Sequence, residues 1–231
     1  MMQGARRLRT LVICDYDGTI TAEDTGLAAM QELAPPEGMD IELAWQRGEM
    51  SSKECLRREF GLLDVTEDEF RAWVLSKPVD PHFPDFVRRC RESGVELLVL
   101  SDGLDLYIRW TLDKLGLGDI PSAANRAWFD GRRLMVDFPW ASVECESCAH
   151  CKRDQVLRLR ERFDRVVYVG DGYSDRCPAA HADMLIAKGS LAEHCTAEGI
   201  SFFEFRDFGD VASILAGAGV LPYEPGEMMT P

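Results

Sequence analysis

The sequence lacks any apolar run that approaches the length of a membrane-spanning helix, and its first such run, residues 11–14, is too short for a secretory signal. It is also short of positive charge: 26 Lys and Arg residues accompany 40 Asp and Glu residues, giving a formal net charge of -14. A surface this acidic repels nucleic acid and anionic membranes. We therefore expect a small-molecule substrate and no nucleic-acid or membrane partner. Because no secretory signal is visible, we expect a cytoplasmic protein, either a monomer or a homodimer.

The sequence also lacks the paired CxxC spacing of common zinc sites, and its four histidines share no spacing that suggests a joint site. Three of the eight cysteines nevertheless cluster at Cys145, Cys148 and Cys151, beside His150. Three thiolates and one histidine would satisfy tetrahedral Zn²⁺, but the adjacency of His150 and Cys151 makes joint coordination awkward. A zinc or iron–sulfur site is the less favoured alternative, and we expect a compact flap that positions Lys152.

Short, continuous apolar runs indicate buried parallel strands, and amphipathic segments between them indicate helices. The runs occupy residues 11–14, 97–100, 166–169 and 184–187, with a fifth expected at 200–205. The helical segments include 105–115, 153–162 and 208–216. This alternation predicts an α/β fold with a Rossmann-like, doubly wound parallel sheet.

Two segments interrupt the alternation. Residues 21–84 contain helical patterns at 27–33, 41–47, 53–60 and 67–75 but no clear strand, and the stretch is too long for an ordinary connection. We interpret it as a helical cap inserted into a core formed by residues 1–20 and 85–221. Residues 127–138 carry a hairpin signal around Asp130 and Gly131, and the tail at 222–231 is expected to be loose.

Carboxylates and small residues follow three of the predicted strands. Asp15-Tyr16-Asp17-Gly18-Thr19 follows the first strand, Ser101-Asp102-Gly103 the second, and Gly170-Asp171-Gly172-Tyr173-Ser174-Asp175 the third. Because ligands of open α/β sheets bind at the carboxyl ends of the strands, these groups should converge. So many like charges need a neutralising cation, and oxygen ligands of this kind suit Mg²⁺.

A divalent cation beside strand-end carboxylates suggests phosphate chemistry. Thr19 and Ser101 offer hydroxyl groups, and the backbone N–H groups near Gly18 and Gly103 can approach an anion closely. Lys152 begins a helical segment, so its ammonium group and the positive end of that helix would face the same anion. The sequence therefore predicts a phosphate site with a lysine on one side.

These motifs resemble those of the haloacid dehalogenase superfamily. The run from Asp15 to Thr19 is similar to its first motif, and Ser101, Lys152 and the Gly170–Asp175 run are similar to the second, third and fourth motifs in order. The position of the cap between the first two motifs resembles the subfamily that includes phosphoserine phosphatase. The Ile13-Cys14-Asp15, Thr19-Ile20-Thr21 and Ala34-Pro35-Pro36 segments, with the Cys-rich segment, resemble the methionine-salvage branch, the hydroxy-keto-methylthiopentenyl phosphate phosphatases.

The resemblance implies a role for each matching residue. Asp15 would be the nucleophile that forms an aspartyl-phosphate, and Asp17 the acid and base for the leaving group and the water. The implied metal ligands are Asp15, Asp17 through its backbone carbonyl, Asp171 and Asp175. Phosphate binding would fall to Thr19, Ser101, Gly103 and Lys152.

The acid at Asp17 favours a phosphatase over a dehalogenase, because an alkoxide leaving group needs a proton and a halide does not. The resulting prediction is a Mg²⁺-dependent phosphomonoesterase acting on the methylthiopentenyl phosphate of methionine salvage. Phosphoserine and phosphoethanolamine-type or phosphocholine-type substrates stay open. A non-catalytic phosphometabolite- or metal-binding module is the alternative from another class, although every catalytic side chain is present.

Three residues of the predicted cap are candidates for substrate contact. Asp24 lies where related phosphatases place a substrate-facing acid, although residues 21–24 also resemble a helix capping box that begins at Thr21. Arg57 and Arg58 could meet a substrate carboxylate or simply face solvent. The position at which phosphoserine phosphatases carry a carboxylate-binding arginine falls near Glu59, which weakens the phosphoserine hypothesis.

Overall fold

The fold is built around one seven-stranded sheet in the order β4-β3-β2-β1-β5-β6-β7. The computed structural model describes residues 8–145 and 147–224. All neighbouring strands are parallel except the β3–β4 hairpin. The strands are β1 (Thr10–Cys14), β2 (Glu96–Leu104), β3 (Ser122–Asp130), β4 (Arg133–Asp137), β5 (Arg165–Gly170), β6 (Met184–Ala187) and β7 (Phe203–Glu204).

The central strands are buried on both faces, as their continuous apolar runs predict. In β1, Val12 and Cys14 face one hydrophobic cluster, whereas Leu11 and Ile13 face a second cluster on the other side of the sheet. The doubly wound parallel sheet predicted from the sequence is therefore present. The fifth strand, predicted at residues 200–205, is reduced to β7 in the structure, and residues 200–202 adopt neither helix nor strand.

Helices cover both faces and also form the segment between β1 and β2. They are α1 (Thr25–Glu32), α2 (Glu37–Gln46), α3 (Ser52–Gly61), α4 (Glu67–Ser76), α5 (Phe83–Glu92), α6 (Asp105–Lys114), α7 (Lys152–Arg160), α8 (Arg176–Ala179), α9 (Gly189–Glu198) and α10 (Phe208–Gly217). Neither α5 nor α9 was among the helices that the sequence analysis predicted. No helix within the described ranges combines the length and apolar character needed to cross a membrane.

Side-chain caps fix where several of the cap helices begin. Ser51 accepts a hydrogen bond from the backbone of α3, and Thr66 with Glu69 forms a complete capping box at α4. At α1 the N-cap is Asp24, whose side chain accepts from Leu27 N at 2.9 Å. The capping box expected at Thr21 is therefore wrong by one turn, because the Thr21 hydroxyl instead donates to backbone carbonyls of Tyr16 and Glu23.

The chain leaves and re-enters the core beside a single bridge between Thr21 and Val79. Helix α5 begins at Phe83 and belongs with the core, since the rings of Phe83 and Phe208 in α10 lie 4.8 Å apart. We therefore propose that the inserted cap ends at His82 rather than at residue 84. In the predicted tail, residues 222–224 form no helix or strand, and residues 225–231 lie outside the described residues.

Candidate active site

Lys152 joins the first and fourth motifs at the carboxyl edge of the sheet. Its ammonium nitrogen lies 2.8 Å from Asp15 Oδ1 and 2.8 Å from Asp175 Oδ1. It also donates to Ser174 Oγ at 3.0 Å, and the residue is 2% exposed. Burial alone would lower the pKa of Lys152, but Asp15 and Asp175 raise it above its usual range, so the group is a cation.

Asp15 follows β1, and its backbone N–H donates to Val169 O in β5 at 2.9 Å. The same carboxylate oxygen that contacts Lys152 accepts from Tyr16 N at 2.7 Å. Two donors therefore hold Oδ1. The second oxygen, Oδ2, is free of these two contacts.

Asp175 is buried and has a partner for each oxygen. Tyr168 donates its hydroxyl to Oδ1 at 2.7 Å, while the backbone N–H groups of Asp171 and Gly172 donate to Oδ2 at 3.1 Å each. Burial alone would raise the pKa of Asp175, but Lys152 and these donors hold it below its usual range. Asp175 is therefore an ionised carboxylate that orients Lys152 and closes the loop after β5.

Asp171 faces the loop after β1. Thr19 donates its hydroxyl to Asp171 Oδ1 at 2.6 Å. Gly18, at φ +70°, leaves space for the other oxygen, since a Cβ at Gly18 would lie 2.4 Å from Asp171 Oδ2. Burial raises the pKa of Asp171 to about 6. This close approach explains why a glycine follows Asp17.

Oxygen atoms of Asp15, Asp171 and Asp175 lie within 4.8 Å of one another, so this acidic cluster could hold a metal ion. All three donors are hard oxygens, which fit Mg²⁺ better than a soft metal. The Asp17 side chain is not part of the group. That arrangement is compatible with the prediction that Asp17 would contribute only its backbone carbonyl.

The Asp17 carboxylate points towards the second motif and the cap. It accepts from Tyr107 OH at 2.9 Å, from Thr25 N at 3.0 Å and from Ser101 Oγ at 3.4 Å. Burial, and then the nearby charge of Asp24, raise the pKa of Asp17 to about 7. A carboxyl group with this pKa can donate a proton and take one back near neutral pH.

Ser101 and Gly103 lie inside β2 rather than after it, which differs from the prediction that the strand ends at residue 100. The register of β2 against β3 shifts between Leu100 and Leu104, so the chain stays extended through a bulge. Gly103 N donates to Ser101 Oγ at 2.9 Å. A Cβ at Gly103 would lie 1.8 Å from the Tyr107 hydroxyl, so only glycine fits here.

His150 connects the Cys-rich flap, the segment that carries Cys145, Cys148 and Cys151, to this bulge. The backbone N–H of His150 donates to Asp102 Oδ1 at 2.8 Å, and its Nδ1 lies 3.0 Å from Ser101 O. The ring stacks on Trp140 at 5.9 Å between centroids, and Ser147 O accepts from Ser52 N in the cap. The flap therefore connects the second motif, the third motif and the cap, as its predicted positioning role requires.

All eight cysteines are free thiols. Within the described residues, the clusters suited to a metal ion do not include the trio Cys145, Cys148 and Cys151. Zinc at the trio, the less favoured alternative in the sequence, gains no support from this arrangement.

A cavity of about 310 Å³ lies between the core and the cap. Its walls include Asp15, Asp17 and Asp171 from the core and Asp24 from the cap. Asp24 therefore both caps α1 and faces the candidate site. The predicted contact role of this residue stays compatible with the capping role favoured by the sequence.

The two candidate arginines lie outside this cavity. Arg57 packs its guanidinium over the Phe138 ring at 4.8 Å, and Arg58 pairs with Glu54 at 3.5 Å on the exposed face of α3. Helical geometry sends these adjacent residues away from the face that carries Cys55 and Glu59. Of the two roles left open for these arginines, contact with a substrate carboxylate is therefore not supported by their positions.

Several site residues were missing from the sequence interpretation. Tyr107 and Tyr168 occur inside a helix and a strand, where aromatic residues are usually core, and only their hydroxyl partners reveal a further role. Glu42 and Glu59 line the cavity from different helices. Their shared location depends on how α2 packs against α3, which no local pattern encodes.

Comparisons with known proteins agree with this geometry. The family described as "Putative Phosphatase" matches residues 10–189. The chain belongs to this phosphatase family. A protein of Brevibacillus brevis named 2-hydroxy-3-keto-5-methylthiopentenyl-1-phosphate phosphatase is 31% identical over 211 residues, covering 90% of this chain and 95% of the relative.

Solved structures are similar to this phosphatase in fold. A HAD family hydrolase of Salmonella enterica serovar Typhi has a TM-score of 0.72 at 16% identity, over 96% of this chain and 74% of that one. A phosphoserine phosphatase described as a phospho-aspartyl intermediate analogue has a TM-score of 0.67 at 19% identity, over 89% and 98%. The predicted fold and the predicted phosphoric monoester hydrolase activity are both confirmed.

Proposed function

We propose that this phosphatase hydrolyses 2-hydroxy-3-keto-5-methylthiopentenyl-1-phosphate through an aspartyl-phosphate on Asp15, with Mg²⁺ as its cofactor. The observation that carries the mechanism is the cluster of Asp15, Asp171 and Asp175 oxygens within 4.8 Å of one another, two of whose members, Asp15 and Asp175, contact one buried lysine. The proposal for the substrate rests on the relative from Brevibacillus brevis, whose name states that activity. The free thiols suit a reducing cytosol, where we expect the enzyme to work as a monomer or homodimer.

The metal would be held by Asp15, Asp171 and Asp175, with the backbone carbonyl of Asp17. Bound there, Mg²⁺ would neutralise negative charge that the phosphoryl group brings to an already acidic site. Lys152, 2.8 Å from Asp15 Oδ1, supplies a permanent positive charge. With Ser101 and the backbone of Gly103, it would bind the phosphoryl oxygens, while Thr19 holds Asp171 in place.

In the first step, Asp15 Oδ2 attacks phosphorus while the bond from phosphorus to the leaving oxygen breaks. Asp17 gives its proton to that oxygen, so the product leaves as an alcohol. In the second step, a water molecule attacks phosphorus as Asp17 takes a proton from it. The bond from phosphorus to Asp15 then breaks, which releases inorganic phosphate and restores both carboxyl groups.

A turnover screen tests this proposal. Purified enzyme would be incubated with the methylthiopentenyl ester, phosphoserine and phosphoethanolamine, with Mg²⁺ and with excess chelator, and phosphate release measured. We expect the methylthiopentenyl ester to have the highest kcat/KM, chelator to stop turnover and Mg²⁺ to restore it. Asp15→Asn should have no measurable turnover. Equal turnover with chelator, or by Asp15→Asn, would contradict the mechanism, and a preference for either other ester would contradict the substrate.

A further inference from the structure

The lining of the active-site cavity is rich in carboxyl groups, from both the core and the cap. Seven acidic residues line the cavity: Asp15, Asp17, Asp24, Glu42, Glu59, Asp102 and Asp171. Among the lining residues in the described ranges there is no Lys or Arg. A carboxylate on the leaving group would enter this space without a positively charged side chain to receive it, which is costly in a partly desolvated site.

Glu59 of the cap has a buried side-chain oxygen without a hydrogen-bond partner among the described residues. It is 4% exposed, and its Oε1 is buried without a hydrogen-bond partner in the part of the chain that the structure describes. Buried polar atoms normally have partners, so an unpartnered oxygen in a cavity wall points to a ligand. Cys55 precedes it by one turn of α3 on the same helix face.

Glu42 of α2 approaches Glu59 from across the helix pair. One oxygen of each glutamate and the Cys55 sulfur lie within 4.8 Å of one another. Burial, followed by the charge of Glu42, raises the pKa of Glu59 to about 8. A carboxyl group with this pKa is mostly protonated at neutral pH; side-chain hydrogen bonds with Glu42 and Cys55 engage it, and within the described residues Oε1 is left as a free acceptor.

We propose that Glu59 determines specificity by hydrogen-bonding an uncharged, oxygen-bearing leaving group, while the surrounding carboxyl groups reject esters that carry a carboxylate. This inference rests on the proposed phosphatase mechanism and names the substrate class of the same site. Hydroxyl and ketone oxygens match a protonated carboxyl group, and the half-buried Leu56 and the buried Phe60 supply apolar surface beside it. A site with a buried polar group discriminates strongly against ligands that leave it unpaired.

Two esters that differ at one carbon test the charge rule in the wild-type enzyme. Glycerol 3-phosphate and 3-phosphoglycerate share the phosphate and the central hydroxyl, and differ by a hydroxymethyl group against a carboxylate. We expect kcat/KM to favour glycerol 3-phosphate by at least about 100-fold. Equal values, or a preference for 3-phosphoglycerate, would overturn the proposal.

Substitutions at Glu59 test the hydrogen bond. Glu59→Gln keeps a neutral donor and acceptor, so kcat/KM for glycerol 3-phosphate should stay within about 3-fold of wild type. Glu59→Leu should raise KM at least about 10-fold and leave kcat nearly unchanged. Glu54→Leu, on the exposed face of the same helix, is the matched control and should change neither parameter.

Two results for the variants would overturn the hydrogen-bonding role. A loss in Glu59→Gln as large as in Glu59→Leu would mean that a charge is needed, as for an ammonium substrate. An unchanged KM in Glu59→Leu would mean that no contact exists.

Binding measurements separate this inference from the proposed reaction. Calorimetry with Asp15→Asn, which should not turn over, gives Kd for both esters whether or not the wild type hydrolyses them. Tighter binding of glycerol 3-phosphate, lost in Asp15→Asn/Glu59→Leu, supports the subsite even if the chemistry is wrong. Equal binding of both esters overturns the subsite even if the chemistry is right.

Discussion

Lys152 and Asp15 form a buried ion pair at 2.8 Å, with 2% of the lysine exposed. The same ammonium group contacts Asp175 at 2.8 Å, so one cation serves two carboxylates that come from different strands. Removing one partner of a buried pair leaves an uncompensated charge. The lysine therefore has a structural role as well as its proposed role in phosphate binding.

We predict that Lys152→Met lowers the free energy of unfolding by about 3 kcal/mol at pH 7, because Asp15 and Asp175 lose their buried cation. Turnover should fall at least about 1000-fold in the same variant. Urea unfolding followed by circular dichroism measures the first effect, and phosphate release the second.

Lys53→Met is a suitable control for this prediction, since Lys53 also lies in the first turn of a helix but is half-buried in the cap. It should change the free energy of unfolding by less than about 0.5 kcal/mol. A Lys152→Met protein as stable as the wild type would mean that the two carboxylates do not depend on this cation.

Thr19 should control the affinity for the metal ion. Its hydroxyl donates to Asp171 Oδ1 at 2.6 Å, and partners that orient a metal ligand typically contribute 10- to 100-fold in affinity. We predict that Thr19→Val raises the Mg²⁺ concentration for half-maximal activity by about 10- to 100-fold, with much of the activity recovered at saturating Mg²⁺. Thr196→Val, whose hydroxyl donates to Ala192 O in α9, is the control and should leave this concentration unchanged.

Tyr107 should set the pH at which Asp17 works. Burial and Asp24 raise the pKa of Asp17 to about 7, whereas the Tyr107 hydrogen bond lowers it. Because protonated Asp17 is the proposed acid, kcat/KM should fall as pH rises above about 7. In Tyr107→Phe the pKa of Asp17 should rise, so this fall should move to higher pH.

The measurement is a pH profile of kcat/KM between pH 5 and 9, with Tyr223→Phe as the control because Tyr223 is exposed. We expect kcat in Tyr107→Phe to drop by about 3- to 10-fold, as for the loss of one ordinary hydrogen bond. If kcat/KM of Tyr107→Phe began to fall at a lower pH than that of the wild type, the assignment of Asp17 as the acid would be contradicted.

Glu59 should make stability depend on pH. Its folded-state pKa of about 8 exceeds the ordinary value of 4.5, so the folded state binds more protons between these pH values. The contribution of Glu59 to stability is therefore fully present below about pH 4.5 and is lost as pH rises through about 8. Glu59→Gln cannot ionise, so it lacks the cost of ionising a buried carboxyl group and should be more stable than the wild type by up to about 4 kcal/mol at pH 8.

Chemical denaturation of both proteins at pH 5 and pH 8 measures this difference. The difference in the free energy of unfolding between Glu59→Gln and the wild type should be smaller at pH 5 than at pH 8. A difference of the same size at both pH values would show that Glu59 does not titrate in this range.

The sequence predicted which of the site residues lie close together, because most of them follow the ends of strands. Asp15 and Asp171 follow short apolar runs that could only be buried strands, and parallel strands bring those ends together. Lys152 was predicted mainly from its match to the third motif of the family it resembles, with its place at the start of a helix as support, and the structure puts it within hydrogen-bonding distance of Asp15.

Features that depend on packing between distant segments escaped the sequence interpretation. Ser101 lies within β2 because a register shift against β3 keeps the chain extended, and no local signal marks that bulge. Helix α5 went unrecognised although Phe83, Phe86, Val87 and Cys90 share its buried face. For Arg57 and Arg58 the sequence left open whether they meet a substrate carboxylate or face solvent, and in the structure they contact Phe138 and Glu54.

The most direct test of the account is to identify the residue that carries the phosphoryl group during turnover. Wild-type enzyme quenched rapidly during turnover at saturating substrate should contain the intermediate, because Asp17 can protonate the leaving group in the first step. Enzyme quenched with the methylthiopentenyl ester and Mg²⁺ would be treated with borohydride, which converts an aspartyl-phosphate to homoserine. The modified residue would then be located by mass spectrometry. We predict homoserine at position 15 alone. Turnover with no modified aspartate, or with the modification at another residue, would contradict Asp15 as the nucleophile.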